Sequence, residues 1–161
     1  MQTGQQTYEP WSADRVAQVI AEHRRLEGPL LPILHALQET FGYIDAATEP
    51  IIAEALNISR AEVHGVATFY HDFRQEPAGR HVFKLCRAEA CQAAGGDALA
   101  ARAQARLGVT FGQTTADGRV TLEPGYCLGL CSVSPSGMID GRLVARLDAG
   151  KLDALIAETD R

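Results

Sequence analysis

The sequence predicts an α+β chain, an N-terminal helical bundle followed by a small mixed α/β domain. Three observations predict it. Apolar residues recur at spacings of three and four through roughly residues 11–74, the period of helices that bury one face. From about Arg80 the pattern shifts to short alternating runs interleaved with one Ala-rich helical stretch, the mixture expected of strands and helices sharing one core. Between the two lies Gln75-Glu76-Pro77-Ala78-Gly79, a run with turn chemistry. The chain therefore divides into a loose polar start over 1–10, a helical bundle over 11–74 and an α/β domain over 80–161.

Local signals place the elements. Ser12 is an N-cap for a helix carrying Val16, Val19, Ile20 and Leu26, broken by Gly28-Pro29. Ile33, Leu34, Leu37 and Phe41 form the apolar face of the next helix, and Gly42 stands where a C′ glycine ends one. A third helix is expected from Thr48 to Leu56, with Pro50 tolerated in its first turn. Ser59 and Glu62 have the spacing of a capping box that opens a fourth, through Val63, Val66 and Tyr70. Beyond the boundary, His81-Val82-Phe83-Lys84-Leu85 alternates as a strand ending at Cys86. Gly95-Gly96-Asp97 leads into a helix that Gly108 ends. Val120 to Glu123 reads as a strand, and Met138 to Val144 as a hairpin turning at Asp140-Gly141. Leu152, Leu155 and Ile156 mark a last helix. This element order is similar to that of a small domain of the thioredoxin kind.

Bulk properties exclude some functions. A formal charge of −5 argues against a nucleic-acid partner, which wants a basic surface. No run approaches the ~20 apolar residues of a membrane helix, and Met1 to Thr7 lacks the basic-then-apolar plan of a signal peptide. The expectation is a cytoplasmic protein without membrane insertion. There thiols stay reduced, so four cysteines read better as ligands than as disulfides.

Those cysteines follow C-x4-C, a gap of 35 residues, then C-x3-C. Cys86 and Cys91 bound one expected loop, Cys127 and Cys131 another, each after a strand. Four thiolates suit Zn²⁺ or an iron–sulfur centre. Structural zinc often uses C-x2-C pairs, whereas spacings of four and three suit a larger object without excluding zinc. A [2Fe–2S] cluster is an anion that wants backbone N–H donors and little steric bulk around it. Gly95, Gly96, Gly125 and Gly129 meet both needs. Iron–sulfur, zinc, and free or paired thiols all stay open at this point, with iron–sulfur favoured.

Longer motifs narrow the choice. The segment from Leu30 to Ile44, the run Glu62-Val63-His64-Gly65-Val66-Ala67-Thr68-Phe69-Tyr70, and Cys127-Leu128-Gly129-Leu130-Cys131 resemble the 24 kDa-type [2Fe–2S] subunit family of NADH dehydrogenases. The resemblance runs from about Leu30 to Leu147. It implies a helical bundle joined to a thioredoxin-like ferredoxin domain, with Cys86, Cys91, Cys127 and Cys131 as ligands of one [2Fe–2S] cluster. It also implies a flavoprotein partner that carries FMN, binds NADH and holds a [4Fe–4S] cluster. Respiratory complex I, NAD-linked hydrogenases and NAD-dependent formate dehydrogenases share this module. Cys86-Arg87-Ala88-Glu89-Ala90-Cys91-Gln92 resembles the γ subunit of molybdenum formate dehydrogenases, which implies that another chain of the complex is a molybdenum-containing catalytic subunit. The rival of another class is a zinc-stabilised interaction module.

Lys84 and Arg87 flank a ligand position and read first as solvated surface charges; the sharper reading has Arg87 favouring the reduced cluster. His35 and His64 are expected in packing or partner contacts, and Trp11, Phe69 and Tyr70 in the core or an interface. Gly95-Gly96 has no Walker or Rossmann context for phosphate. The serine-rich run from Ser132 to Ser136 departs from the family pattern, in which alanine often precedes the proline.

Overall fold

The computed structural model describes residues 8–160. Four helices come first: α1 (Ala13–His23), α2 (Leu30–Phe41), α3 (Thr48–Leu56) and α4 (Arg60–Phe69). They form one compact unit that ends at Pro77. Its core is the stripe already legible in the sequence, including Val16, Ile20, Ile33, Leu37 and Val63, joined by Ile52 of α3. The caps are in place: Ser12 Oγ accepts from Arg15 N–H at 3.3 Å. Ser59 Oγ accepts from Glu62 N–H while the Glu62 carboxylate accepts from Ser59 N–H. Gly42 takes the left-handed conformation that ends α2, with φ 83°.

Two expectations need correction here. Helix α1 stops at His23, and Leu26 lies outside it, 50% exposed. The next position of the apolar stripe is a histidine, whose Nδ1 bonds back to Val19 O at 2.8 Å, so burial gives no reason to continue the helix. The polar start is not loose over its last residues. Glu9 N–H donates to Thr40 O, the Glu9 carboxylate pairs with Arg15, and Tyr8 lies against Gly42. Residues 1–7 lie outside the described residues.

The second compact unit begins at Ala78. It runs β1 (His81–Cys86), α5 (Glu89–Ala93), α6 (Gly96–Leu107), β2 (Gln113–Thr114), β3 (Val120–Gly125), β4 (Gly137–Ile139), β5 (Arg142–Val144) and α7 (Ala149–Glu158). The strands form one sheet in the order β2-β3-β1-β4-β5. β1 and β3 are parallel, and the other pairings antiparallel. Parallel neighbours need a crossover connection, which α5 and α6 supply. Phe83, Leu85, Val120, Leu122 and Ile139 pack in one cluster with Leu99, Ala103 and Leu107 of α6 and with Leu152, Leu155 and Ile156 of α7. The β4–β5 turn has positive φ at both Asp140 and Gly141, the signature of the expected type I′ hairpin. No described helix is long and apolar enough to cross a membrane.

The α5 helix and the short β2 were not expected. Cys91 therefore lies within a helix rather than in an open loop. Its five-residue segment is too short to show a helical period in sequence.

Candidate metal centre

The parallel pairing of β1 and β3 brings the two cysteine pairs together. In register, Cys86 stands opposite Gly125. Both strands leave the sheet at the same end, so the 35-residue gap closes and Cys127 emerges two residues past Cys86's partner. Arg87 N–H donates to Gly125 O at 2.7 Å and seals that end.

The sulfurs meet as two pairs. Cys127 Sγ and Cys131 Sγ are 3.6 Å apart. Two thiolates on one tetrahedral metal with M–S near 2.3 Å lie about 3.8 Å apart, so this pair has the span of two ligands on one ion. Cys86 and Cys91 contact each other through their side chains. The first pair is buried and the second exposed.

Backbone donors gather on the Cys86 sulfur. Burial pushes this thiol up, but N–H groups of Ala88, Cys127 and Leu128, with the Cys91 side chain, outweigh that and hold it below its usual range. Donors that favour a charged sulfur act in this direction. Cys127 adopts a left-handed conformation, φ 82°. Such strain costs about 1–3 kcal/mol and clusters at functional sites; here two successive amides, Cys127 and Leu128, reach the same sulfur. The Cys131 thiol is pushed up, by its hydrogen bond and proximity to Cys127, then by burial and by the charges of Cys91 and Cys86. All four sulfurs are thus within electrostatic reach of one another. Collecting them as thiolates calls for cations among them.

The glycines divide by role. A Cβ on Gly96 would sit 2.5 Å from Cys91 O, so only glycine permits this contact between α6 and α5. On Gly125 it would meet Leu128 of the second cysteine loop at 3.3 Å. Gly95 and Gly129 are needed for positive φ, 91° and 78°, with open space at the Cβ position.

The charges flanking Cys86 are not solvated, a correction to the first reading. Lys84 pairs with Glu123, its register partner on β3, at 3.2 Å. Arg87 is 23% exposed, reaches Asp97 at 2.9 Å and stacks over Phe111 at 5.5 Å. Its Nη1 is buried without a partner among the described residues. Asp97 was missed, although an acid in the first turn of a helix is a readable signal. Ser136 was also unassigned; its Oγ lies 3.5 Å from Cys91 Sγ.

In the helical unit, His64 Nδ1 bonds the buried carboxylate of Glu49 at 2.8 Å, and His35 meets the Phe73 ring edge-on. Trp11 donates to the buried Thr48 hydroxyl. Phe69 and Tyr70 are exposed at the end of α4.

Known proteins share this arrangement. Residues 16–160 match the family model described as thioredoxin-like [2Fe–2S] ferredoxin. The chain is 39% identical over 122 residues to an NADH-quinone oxidoreductase subunit of Pseudomonas aeruginosa, covering 74% of each chain. It is 34% identical over 154 residues to the NADH-quinone oxidoreductase subunit of the same name in Escherichia coli (strain K12), covering 94% of this chain and 92% of that one. With the NADP-reducing hydrogenase subunit HndA of Solidesulfovibrio fructosivorans it shares 29% identity, over 89% of this chain and 84% of that one. Among solved structures, an air-oxidized NAD⁺-reducing [NiFe]-hydrogenase chain superposes with a TM-score of 0.67 at 32% identity. That match covers 81% of this chain but only 22% of the hydrogenase chain. The family match over nearly the whole length, on a fold that closes two cysteine pairs at one sheet end, identifies the chain as a member of the thioredoxin-like [2Fe–2S] ferredoxin family, with a [2Fe–2S] cluster as its cofactor.

Proposed function

We propose that Cys86, Cys91, Cys127 and Cys131 are the four ligands, and that the chain passes single electrons beside an FMN- and NADH-binding flavoprotein with a [4Fe–4S] cluster. The observation that carries the ligand set is the convergence of two sulfur pairs at the paired ends of β1 and β3. Pairs suit two irons. On this reading the α/β domain over 80–161 is the redox domain. The helical bundle over 11–74 and the exposed Phe69, Tyr70 and Tyr126 offer surface to partners.

A bound cluster supplies one-electron chemistry, passing from a net charge of −2 to −3 on reduction. The protein's task is to make room for that extra charge. The amides of Ala88, Cys127 and Leu128 at the Cys86 sulfur do so without adding a titrating group. Arg87 adds a positive charge next to a ligand, and Asp97 offsets it. Opposite shifts are therefore expected: Arg87→Ala lowers the midpoint potential and Asp97→Asn raises it. A spectroelectrochemical titration of the two variants checks this. Shifts of the same sign, or none, would remove both residues from the account.

The complex served is the finer question. The first ligand segment supports a soluble, cytoplasmic NAD-dependent formate dehydrogenase with a molybdenum-containing catalytic subunit. The quinone- and hydrogenase-linked relatives support complex I or an NAD-linked hydrogenase as the second reading. Pulling down the intact complex through this chain and assaying NAD⁺ reduction with formate or hydrogen, and quinone reduction with NADH, separates them. For the site itself, the anaerobically prepared protein should contain two irons and two acid-labile sulfides per chain. Absence of both from the chain and from its complex would end the proposal.

A further inference from the structure

Ser136 is 2% exposed, and its hydroxyl has one polar partner among the described residues, the sulfur of Cys91, itself 1% exposed. In a protein of free thiols either group could donate. A ligand thiolate has no proton, so once Cys91 binds iron the hydrogen bond has only one possible direction, from Ser136 O–H to sulfur. We infer that Ser136 is a potential-setting residue, a buried donor that favours the reduced state by hydrogen-bonding the Cys91 ligand. The inference rests on Cys91 being a ligand, as proposed above.

The backbone holds the hydroxyl in place. Ser136 O accepts from Cys86 N–H at 3.0 Å, so one residue touches both members of the buried pair, one through its main chain and the other through its side chain. Pro135 O on one side accepts from Leu147 N–H. On the other, Gly137 is packed so closely that a Cβ would lie 2.9 Å from Leu147 and 3.0 Å from Lys84 O. The hydroxyl therefore has little freedom to seek another acceptor, and water has no access to replace it. A donor on a ligand sulfur stabilises the more negative state more, which raises the potential. A hydrogen bond to a charged group is worth roughly 1.5–3 kcal/mol, and only the difference between oxidation states counts.

The test is Ser136→Ala in the intact, cluster-loaded chain. Alanine keeps the Cβ and the carbonyl that receives Cys86 N–H, and removes only the hydroxyl. At a fixed ambient potential the reduced-to-oxidised ratio should fall roughly threefold to tenfold, a negative shift of ~30–60 mV at 59 mV per decade for a one-electron couple. Ser136→Thr, which restores a hydroxyl, should recover part of it. An unchanged or raised potential in Ser136→Ala, with normal iron content, overturns the inference. Should that variant fail to hold iron, the unmodified protein decides: exchange into D₂O should shift the Fe–S(Cys) stretching bands in resonance Raman. If the bands do not move, the inference is likewise overturned. Absence of iron and labile sulfide from the unmodified protein is the separate failure of the ligand assignment.

Discussion

Cys91→Ser should strip the protein of iron and labile sulfide, while Cys131→Ser should retain most of both with an altered visible spectrum. The same substitution is expected to act differently because the two pairs occupy different environments. Cys91 is buried in α5, with the backbone of Gly96 on one side and the Ser136 hydroxyl 3.5 Å from its sulfur. A serine oxygen makes a shorter bond to iron than sulfur does, so the metal or the main chain must move. Here α6 blocks the movement. A serine that fails to bind leaves a buried hydroxyl and an iron that water cannot reach. Cys131 is exposed at the start of a short 3₁₀ turn. There an alkoxide, or water in its place, can complete the coordination. Loss of one outer contact to a metal ligand already costs roughly ten- to a hundredfold in affinity, so the buried variant should fall at least roughly tenfold in iron retained after gel filtration. Iron and sulfide analysis, with the absorption spectrum, reads the result. Equal retention by both variants would show that burial does not distinguish the pairs; full retention by Cys91→Ser with an unchanged visible spectrum would remove Cys91 from the ligand set.

Much of this was legible in the sequence. Helix stripes, caps and the hairpin turn carry local signals, and Ser12, Gly42, Ser59, Gly108 and Asp140-Gly141 sit where those signals put them. The cysteine spacings, read with the longer motifs, pointed to the family that the match over residues 16–160 confirms. The rest depended on contacts distant in sequence. That Lys84 is neutralised by Glu123 follows from strand register, which no local pattern of charge reveals. The short α5 left no periodicity, and α1 ends at His23, whose side chain bonds back to its own helix at Val19 O. The strained φ of Cys127 is also invisible in sequence, because the amides it turns serve a sulfur 41 residues earlier. Ser136 looked like one serine among several until β4 placed it beside Cys86 and Cys91.

Gly96→Ala should cost about 2 kcal/mol or more in stability and a large part of the iron content, and it tests the packing beneath the ligands. By helix propensity alone the change is favourable, since alanine in place of a helical glycine gains up to ~1 kcal/mol. The site reverses the sign. The new methyl would lie 2.5 Å from Cys91 O and 2.9 Å from Cys91 C. These are backbone atoms, so no rotamer change relieves the overlap. Either α5 or α6 must shift, and overpacking of this kind costs typically ~1–3 kcal/mol. A shift of α5 carries Cys91 away from Cys86 and Ser136, and so disturbs the buried half of the proposed ligand set. Gly65→Ala is the control within the same chain. Gly65 lies inside α4 with nothing within 4 Å of a Cβ, so propensity should act unopposed and stabilise the protein. Denaturant unfolding and iron per chain, measured side by side on the two variants, give the answer. A Gly96→Ala protein as stable and as iron-rich as the unmodified chain would mean that the contact between α6 and Cys91 is loose, and that close packing of α6 on α5 is not needed to hold the buried sulfur in place.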